Sequence, residues 1–96
     1  MDNRIYLINL YDYYGELLTE KQQNYFEDYY FNNYSLSEIS ENYNVSRNAI
    51  FKQLKEVVNK LSNYEEKLEL YGKSLKIKEI ISNFDDKIKE EIEKLI

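Results

Sequence analysis

The chain has 96 residues and a formal net charge of −5, and 43% of its residues are apolar and 32% charged. This composition is typical of one folded domain and argues against a disordered chain. The absence of cysteine and histidine excludes disulfides, thiolate nucleophiles, Cys/His zinc sites and imidazole catalysis. With no proline and only Gly15 and Gly72 as glycines, the chain is predicted to be all-α.

Several further function classes are not expected. The N-terminus has no basic region followed by an apolar core, and no apolar run approaches the ~20 residues of a membrane helix. We therefore expect a cytoplasmic protein without membrane insertion. A phosphate-cradling loop needs more glycines, and the adjacent carboxylate pairs indicate solvated helix faces. We expect neither an enzyme nor a cofactor; these pairs are Glu65–Glu66, Asp85–Asp86 and Glu90–Glu91.

The first predicted helix extends from Asp2 to Tyr14 and presents one apolar stripe. Gly15 is predicted to end it in a left-handed cap. Leu17 and Leu18 are then expected to be buried connector residues.

The second predicted helix begins with a capping box. Thr19 is followed three residues later by Gln22, and together they can satisfy the first free N–H groups of a helix. Its inner face is predicted to carry Phe26, Tyr29 and Tyr30, and its end is predicted at Asn32–Asn33.

The next two predicted helices have the layout of a helix-turn-helix. Ser35 and Glu38 form a second capping box, which opens a helix from Leu36 to about Tyr43. Asn44 suits a turn position with a positive φ, and Val45 is placed to fill the core between the helices. Ser46 is predicted to cap the fourth helix, which begins at Arg47.

The fourth helix is predicted to be long. Its apolar residues alternate at spacings of four and three, and nothing before Gly72 interrupts this heptad stripe. A helix of ~25 residues would be ~37 Å long. The stripe consists of Ile50, Leu54, Val57, Leu61, Tyr64, Leu68, Tyr71 and Leu75.

The last segment carries a second apolar stripe and forms one helix or two, divided near Ser82–Asn83. We expect a helix-turn-helix domain at 1–63 and a C-terminal helical arm at 64–96. The two stripes are expected to build a helical hairpin that also forms a homodimer contact. The alternative is an arm that folds back on its own bundle. The second stripe consists of Ile77, Ile81, Phe84, Ile88, Ile92 and Leu95.

The basic residues are concentrated at the start of the fourth helix. Residues 1–45 carry two basic and eight acidic side chains, whereas residues 46–61 carry four basic side chains and one acidic. An exposed helix with Arg, Asn and Lys near its leading end can contact phosphates and base edges. Such residues are also common on any solvated helix. The candidate nucleic-acid-binding residues are Ser46, Arg47, Asn48, Phe51, Lys52 and Lys55.

The eleven tyrosines have two interpretations. They could stack on bases, or they could fill helix interfaces with their hydroxyls reaching water. We favour the second interpretation.

These motifs resemble a known family. The stretch from "LYDYYGELLTEKQQNYFEDYYF" to "SLSEISENYNVSRNAIFKQLK", followed by "NYEEKLELYGK", is similar to the YlxM-type helix-turn-helix proteins of Gram-positive bacteria and mollicutes over about residues 4–80. Residues 18–61 more distantly resemble the sigma-factor domain that reads the upstream promoter element, so we expect a sigma-factor region-4-like bundle with a long fourth helix and an arm.

The resemblance implies a function as well as a fold. The family's genes usually neighbour that of the signal recognition particle GTPase, which implies a regulatory role in that protein-targeting pathway, without catalytic residues or cofactor. We expect binding to DNA or RNA through the fourth helix; the alternative is a protein adaptor for the GTPase or its ribonucleoprotein. Where the family usually has Gln, Tyr, an acidic residue and Arg, this chain has Asn48, Phe51, Lys52 and Glu56. That change argues against a DNA sequence shared across the family.

Overall fold

The computed structural model of the protein describes residues 3–96. Over this part of the chain it contains six α-helices and no strand, which confirms the all-α class. A 3-10 turn at Gly15–Leu17 follows α1, a π-helical segment at Glu27–Phe31 extends α2, and a second 3-10 turn at Ile81–Asn83 follows α5. The helices are α1 (Arg4–Tyr14), α2 (Glu20–Phe26), α3 (Leu36–Tyr43), α4 (Arg47–Leu68), α5 (Leu70–Ile80) and α6 (Asp86–Glu93).

The end of α1 differs from the prediction. Gly15 has a φ of −58°, so the left-handed cap is wrong, and the chain continues into the 3-10 turn. The glycine is needed for a different reason: a Cβ at this position would lie 2.9 Å from the ring of Tyr11. Leu18 is buried as predicted, but Leu17 is 57% exposed, because the turn directs only one of the two inward. The predicted start at Asp2 lies outside the described residues, and α1 begins at Arg4.

We expect Gly15→Ala to destabilise the protein by about 1–3 kcal/mol, since the new methyl group overlaps a packed ring. Gly72→Ala is the matched control, because its Cβ would meet only the end of the Glu65 side chain, at 3.3 Å. Thermal unfolding followed by circular dichroism measures both changes. Equal melting temperatures for the two variants would contradict the close packing of Tyr11.

The predicted start of α2 is confirmed, and the predicted end at Asn32–Asn33 is the end of the π-helical segment that extends it. Thr19 Oγ1 accepts from the Gln22 N–H at 3.2 Å, and the Gln22 side chain accepts from the Thr19 N–H at 3.3 Å, which completes the capping box. After the π-helical segment, Asn33 adopts a φ of 58° and ends the helix. The Arg4 guanidinium donates to the carbonyl of Tyr30 and to the Asn33 side chain, which ties the start of α1 to this end.

The helix α4 lies between two apolar clusters and contributes to both. One cluster joins α1 and α2 to Val57 and Leu61 of α4. The other joins Ile39 of α3 to Ile50 and Leu54 of α4. All five of these side chains are fully buried, and each contributes about 1.5–3 kcal/mol to the free energy of folding. The inner face of α4 therefore holds the bundle together, while its opposite face is left to solvent.

The fourth helix ends earlier than predicted. It has 22 residues and stops at Leu68, because Glu69 adopts a left-handed conformation with φ 54° and ψ 29°. A new helix, α5, starts at once at Leu70 and passes through Gly72 without interruption. The predicted uninterrupted helix up to Gly72 is therefore wrong. We call the bend at Glu69 the elbow.

Contacts with α1 explain the elbow. The Tyr14 hydroxyl accepts from the Leu70 N–H at 3.1 Å, and the Glu65 carboxylate accepts from the N–H groups of Tyr71 and Gly72 at 3.1 and 2.9 Å. Tyr14 also donates to Glu65 at 2.5 Å. These side chains accept hydrogen bonds from the first N–H groups of the new helix, which would otherwise lack partners. The helix α4 can therefore end at Leu68 although no glycine or proline ends it there.

The elbow directs α5 onto α1. The Tyr71 ring lies 5.9 Å from the Tyr6 ring and 6.3 Å from the Tyr13 ring, and Ser74 is buried. The heptad stripe is consequently fully buried only as far as Leu61, and Leu75 is 49% exposed. The predicted division near Ser82–Asn83 is confirmed by the second 3-10 turn. The predicted hairpin does not form within the single chain, since α5 packs on α1 and α6 buries no side chain.

Candidate nucleic-acid interface

The segment from α3 to α4 is built from local hydrogen bonds. Ser35 Oγ accepts from the Glu38 N–H at 3.1 Å and starts α3, and Asn44 ends it with a φ of 54°. Ser46 Oγ accepts from the Ala49 N–H at 3.0 Å and starts α4. Each of these predictions is confirmed. Because the turn is so short, the start of α4 is held at a defined angle to α3.

The helical period of α4 separates core residues from solvated ones. Ile50 and Leu54 are fully buried against α3, and Val45 is half-buried beside them. The six candidate residues all lie on the exposed side of this end of α4, and we call them the outward face. They are Ser46, Arg47, Asn48, Phe51, Lys52 and Lys55.

Part of the outward face forms a shallow groove of about 460 Å³, lined by Leu36, Arg47, Asn48 and Phe51. The Phe51 ring is 39% exposed, and the Lys55 ammonium lies 5.5 Å from its centroid. This distance permits a cation–π contact, which holds the lysine over the aromatic edge of the groove. The groove thus combines apolar side chains with a guanidinium and an amide, and the Lys55 ammonium lies beside its Phe51 ring.

The positive charges of the outward face are not neutralised by ion pairs within the described residues. Within residues 3–96, no carboxylate lies within ion-pair distance of Arg47, Lys52 or Lys55. Lys60, which belongs to the same basic block, differs: its ammonium lies 3.9 Å from Glu56 and donates to Gln22 at 3.2 Å. Three of the four basic side chains in the block are therefore available to an anionic ligand.

Acidic residues are also present on the neighbouring helix. Hydrogen bonds from the Ser35 backbone and hydroxyl lower the pKa of Glu38, so this carboxylate stays ionised at the start of α3. A phosphate backbone approaching α4 would be repelled from this side. Between α3 and α4, a polyanion is therefore attracted to the N-terminal end of α4 and repelled from the start of α3.

Two residues of this surface were not among the predicted site residues. Leu36 is half-buried against the apolar cluster of α3 and α4 and also lines the groove. Asn59 is exposed and follows Asn48, Lys52 and Lys55 at helical spacing, which places it further along the same side. The spacing could have revealed Asn59 from the sequence.

The tyrosines lie elsewhere. Every tyrosine except Tyr34 is buried or half-buried, and none is on the outward face. Tyr14, for example, lies 5.8 Å from Tyr64, ring to ring, at the contact of α1 and α4. This distribution agrees with helix-interface packing and leaves Phe51 as the aromatic side chain of the outward face.

The described part of the chain offers neither a metal site nor a membrane-spanning helix. No cluster of acidic side chains within residues 3–96 could hold a metal ion. None of the described helices is both long enough and apolar enough to cross a membrane.

Comparison with known proteins assigns the chain to a family. The whole chain, residues 1–96, matches a family model described as "Putative helix-turn-helix protein, YlxM / p13 like". The chain belongs to the UPF0122 family. This UPF0122 protein is therefore a helix-turn-helix protein in which α3, the turn at Asn44 and α4 form the motif, and the resemblance to the YlxM type is confirmed. The family is described as a helix-turn-helix family and not as an enzyme family.

Several UPF0122 relatives are similar over much of the chain. A UPF0122 protein of Fusobacterium nucleatum is 43% identical over 97 residues, which cover 100% of this chain and 94% of the relative. One of Thermoanaerobacter sp. is 46% identical over 92 residues, covering 96% and 75%. One of Oceanobacillus iheyensis is 55% identical over 64 residues, covering 67% of this chain and 61% of the relative.

Proposed function

We propose that this UPF0122 protein is a cytoplasmic regulatory protein that binds nucleic acid through the outward face of α4. DNA is the first ligand that we propose. One observation carries the proposal: the N-terminal end of α4 is capped, exposed and basic. Its Arg47, Lys52 and Lys55 are not engaged in ion pairs within residues 3–96. A helix presented in this way fits the major groove of DNA.

Each residue type has a chemical role in such binding. Arg47 can donate two hydrogen bonds to guanine, and Asn48 can pair with adenine by donating and accepting. Phe51 can contact a thymine methyl group, while Lys52 and Lys55 neutralise phosphates. Ser46 and the first N–H groups of α4 can hold a phosphate oxygen.

We further propose that the protein works as a homodimer and in the signal recognition particle pathway. One helix-turn-helix offers few contacts, and two-fold symmetry doubles them on spaced half-sites. The link to the pathway follows from the resemblance to YlxM-type proteins. RNA of the particle is accordingly the second ligand to test.

A second candidate function is supported by the charge of the chain. The net charge of −5 repels a polyanion everywhere outside the basic block. An adaptor that binds the signal recognition particle GTPase or its ribonucleoprotein through protein contacts would not face this repulsion. Such an adaptor would keep the helix-turn-helix fold without reading DNA.

Arg47→Ala combined with Lys52→Ala is expected to weaken binding to duplex DNA at least about tenfold at low salt, because two phosphate or base contacts are lost. The salt slope of the binding constant should fall by up to ~2, about one for each phosphate contact removed. Fluorescence anisotropy with random duplex DNA and with the particle's RNA, each over a salt series, measures both effects.

The matched control is Lys73→Ala combined with Lys76→Ala, which removes the same charge from exposed positions of α5. This variant should bind with the parent's salt slope. If the Arg47/Lys52 variant also binds like the parent, the outward face is not the binding surface and the adaptor is favoured. Binding of the parent to the purified GTPase would then test that second function.

A further inference from the structure

The C-terminal arm presents an apolar line that stays largely exposed within residues 3–96. Phe84 and Ile88 are 47% and 45% exposed, and Leu95 is 84% exposed. Ile92 lies between them on the same side of α6 and is half-buried. Since α6 buries no side chain completely, this line is free to meet another surface.

The chain exposes more surface than a compact monomer of its size, by about the area that one partner buries in a dimer. A compact monomer of 11.7 kDa is expected to expose about 5,900 Å². This chain exposes 6801 Å² and measures 52 × 25 × 22 Å, because the arm projects from the bundle. The excess of about 900 Å² is close to the ~800 Å² that each partner buries in a standard interface.

The sequence of α6 has a reversed charge symmetry about Glu90: basic residues on one side of it match acidic residues at equal distance on the other side. Reading outward from Glu90 in both directions, Lys89 corresponds to Glu91, Ile88 to Ile92, and Lys87 to Glu93. One step further, Asp86 corresponds to Lys94. Each basic position thus mirrors an acidic one, and the apolar position mirrors an apolar one. This symmetry is what two antiparallel copies of one helix require.

We propose that two copies of the chain pair through their α6 helices. The helices run antiparallel about a two-fold axis that crosses them at the height of Glu90. The proposal rests on the homodimer proposed above and specifies its interface. Ile88 then packs on Ile92 of the partner subunit, and Leu95 lies near Phe84 of the partner subunit. Each lysine lies at the height of its mirror residue, but the acidic residue on its own side of the seam is two positions away. Lys89 therefore faces Glu93 of the partner subunit, and Lys87 faces Glu91 of the partner subunit.

The charges disfavour the parallel arrangement. In a parallel pair each residue lies at the height of its own copy, so Glu90, Glu91 and Glu93 would meet an identical acidic stretch. The antiparallel pair instead brings the basic first half of α6 beside the acidic second half. Leu75 and Ile80 of α5 are also exposed and add to the apolar surface of the arm.

The first experiment tests the surface. Sedimentation equilibrium of the full chain should show a dimer. Ile88→Asp should raise the dissociation constant of the dimer at least about a hundredfold, because a carboxylate would be buried in the seam. Leu17→Asp is the control, since Leu17 is exposed and belongs to the 3-10 turn after α1, so its change should leave the dimer intact. Circular dichroism should show the same melting of the bundle in the monomeric variant.

The second experiment tests the direction, and it benefits from a chain without cysteine. Ile88→Cys and Ile92→Cys are prepared separately, mixed, and oxidised. The mixture should form a covalent dimer several times faster than either variant alone, because only the unlike pair lies at one height across the axis. Equal crosslinking of each variant with itself would overturn the antiparallel register and leave the pairing in place.

A parent chain that sediments as a monomer at high concentration overturns the inference and the proposed homodimer together. It does not overturn the proposed nucleic-acid binding, which the salt titration with the Arg47/Lys52 variant tests in single chains. A dimer that Ile88→Asp leaves unchanged overturns α6 as the interface and keeps the homodimer. The two proposals therefore fail in distinguishable ways.

Discussion

Ile50→Asp and Leu54→Asp are each expected to unfold the helical bundle. Both side chains are fully buried between α3 and α4 among apolar and aromatic side chains. Each variant loses the burial of a large aliphatic side chain and must bury a polar group without a partner, which together cost about 4 kcal/mol or more. That cost is comparable to the ~5–15 kcal/mol by which domains are stable.

Thermal melting followed by circular dichroism measures this effect, and the chain offers matched controls. Ile5→Asp and Leu17→Asp introduce the same side chain at positions that are 75% and 57% exposed, and both should melt within a few degrees of the parent. An unchanged melting temperature in the Ile50 and Leu54 variants would mean that the inner face of α4 is not the core.

Glu65→Ala is expected to have the second largest effect, because Glu65 holds the elbow. Its carboxylate accepts from the Tyr14 hydroxyl and from the N–H groups of Tyr71 and Gly72. Removing it leaves three donors without that acceptor, which we expect to cost about 2–4 kcal/mol. The loss should appear as lower thermal stability and as fraying of α5, observable by hydrogen exchange at the N–H groups of Tyr71 and Gly72.

The neighbouring residue provides the control for this prediction. Glu66→Ala removes the same charge from the next position of α4, but Glu66 is exposed and makes no hydrogen bond of this kind within residues 3–96. Its stability should remain within about 0.5 kcal/mol of the parent. Equal destabilisation by both substitutions would show that the charge of α4, and not the elbow contact, is responsible.

The contribution of Glu65 should depend on pH. Burial by itself raises the pKa of this carboxyl, but the hydrogen bonds from Tyr14, Gly72 and Tyr71 outweigh it, so the pKa of Glu65 lies below its ordinary value of 4.5. A carboxylate with a lowered pKa stabilises the fold above the unfolded-state pKa and loses this contribution as the pH falls through the folded-state pKa.

Comparison of the parent with Glu65→Gln isolates that dependence. The difference in unfolding free energy should be constant near neutral pH and should shrink in acid. Tyr14 titrates at the other end of the range, since burial and the bond to Glu65 raise the pKa of its hydroxyl to about 12. A difference that stays constant down to about pH 3 would contradict the ionised contact.

Much of the helix-turn-helix could be predicted from the sequence because its determinants are local. Both capping boxes join residues three positions apart, and so does the contact of Ser46 with Ala49. The left-handed Asn44 lies between two such signals. Interactions of this range form wherever the right residue types follow each other, so the boundaries of α3 and the start of α4 were correct.

The candidate interface could be outlined for a similar reason, but not completed. Because α4 is regular, buried Ile50 and Leu54 determine which side chains of this helix face outward. The sequence could not show that Lys60 is engaged by Gln22, which lies 38 residues earlier in the chain. It also could not show that Leu36 lines a groove with Arg47, because the groove depends on the angle between two helices.

The sequence by itself thus determined the all-α class, the N-terminal caps of α2, α3 and α4, the turn at Asn44 and the buried face of α4 up to Leu61. Only the tertiary structure decided where α4 ends and where the arm goes. The stretch around Glu69 contains good helix formers and keeps the heptad spacing, so every local preference favours a continuous helix. The elbow forms because Tyr14, 51 residues before Glu65, contacts it and the start of α5, and because Tyr71 packs on α1. Contacts between residues so distant along the chain arise only once the helices have packed, and their free energy can exceed the small local cost of one left-handed residue.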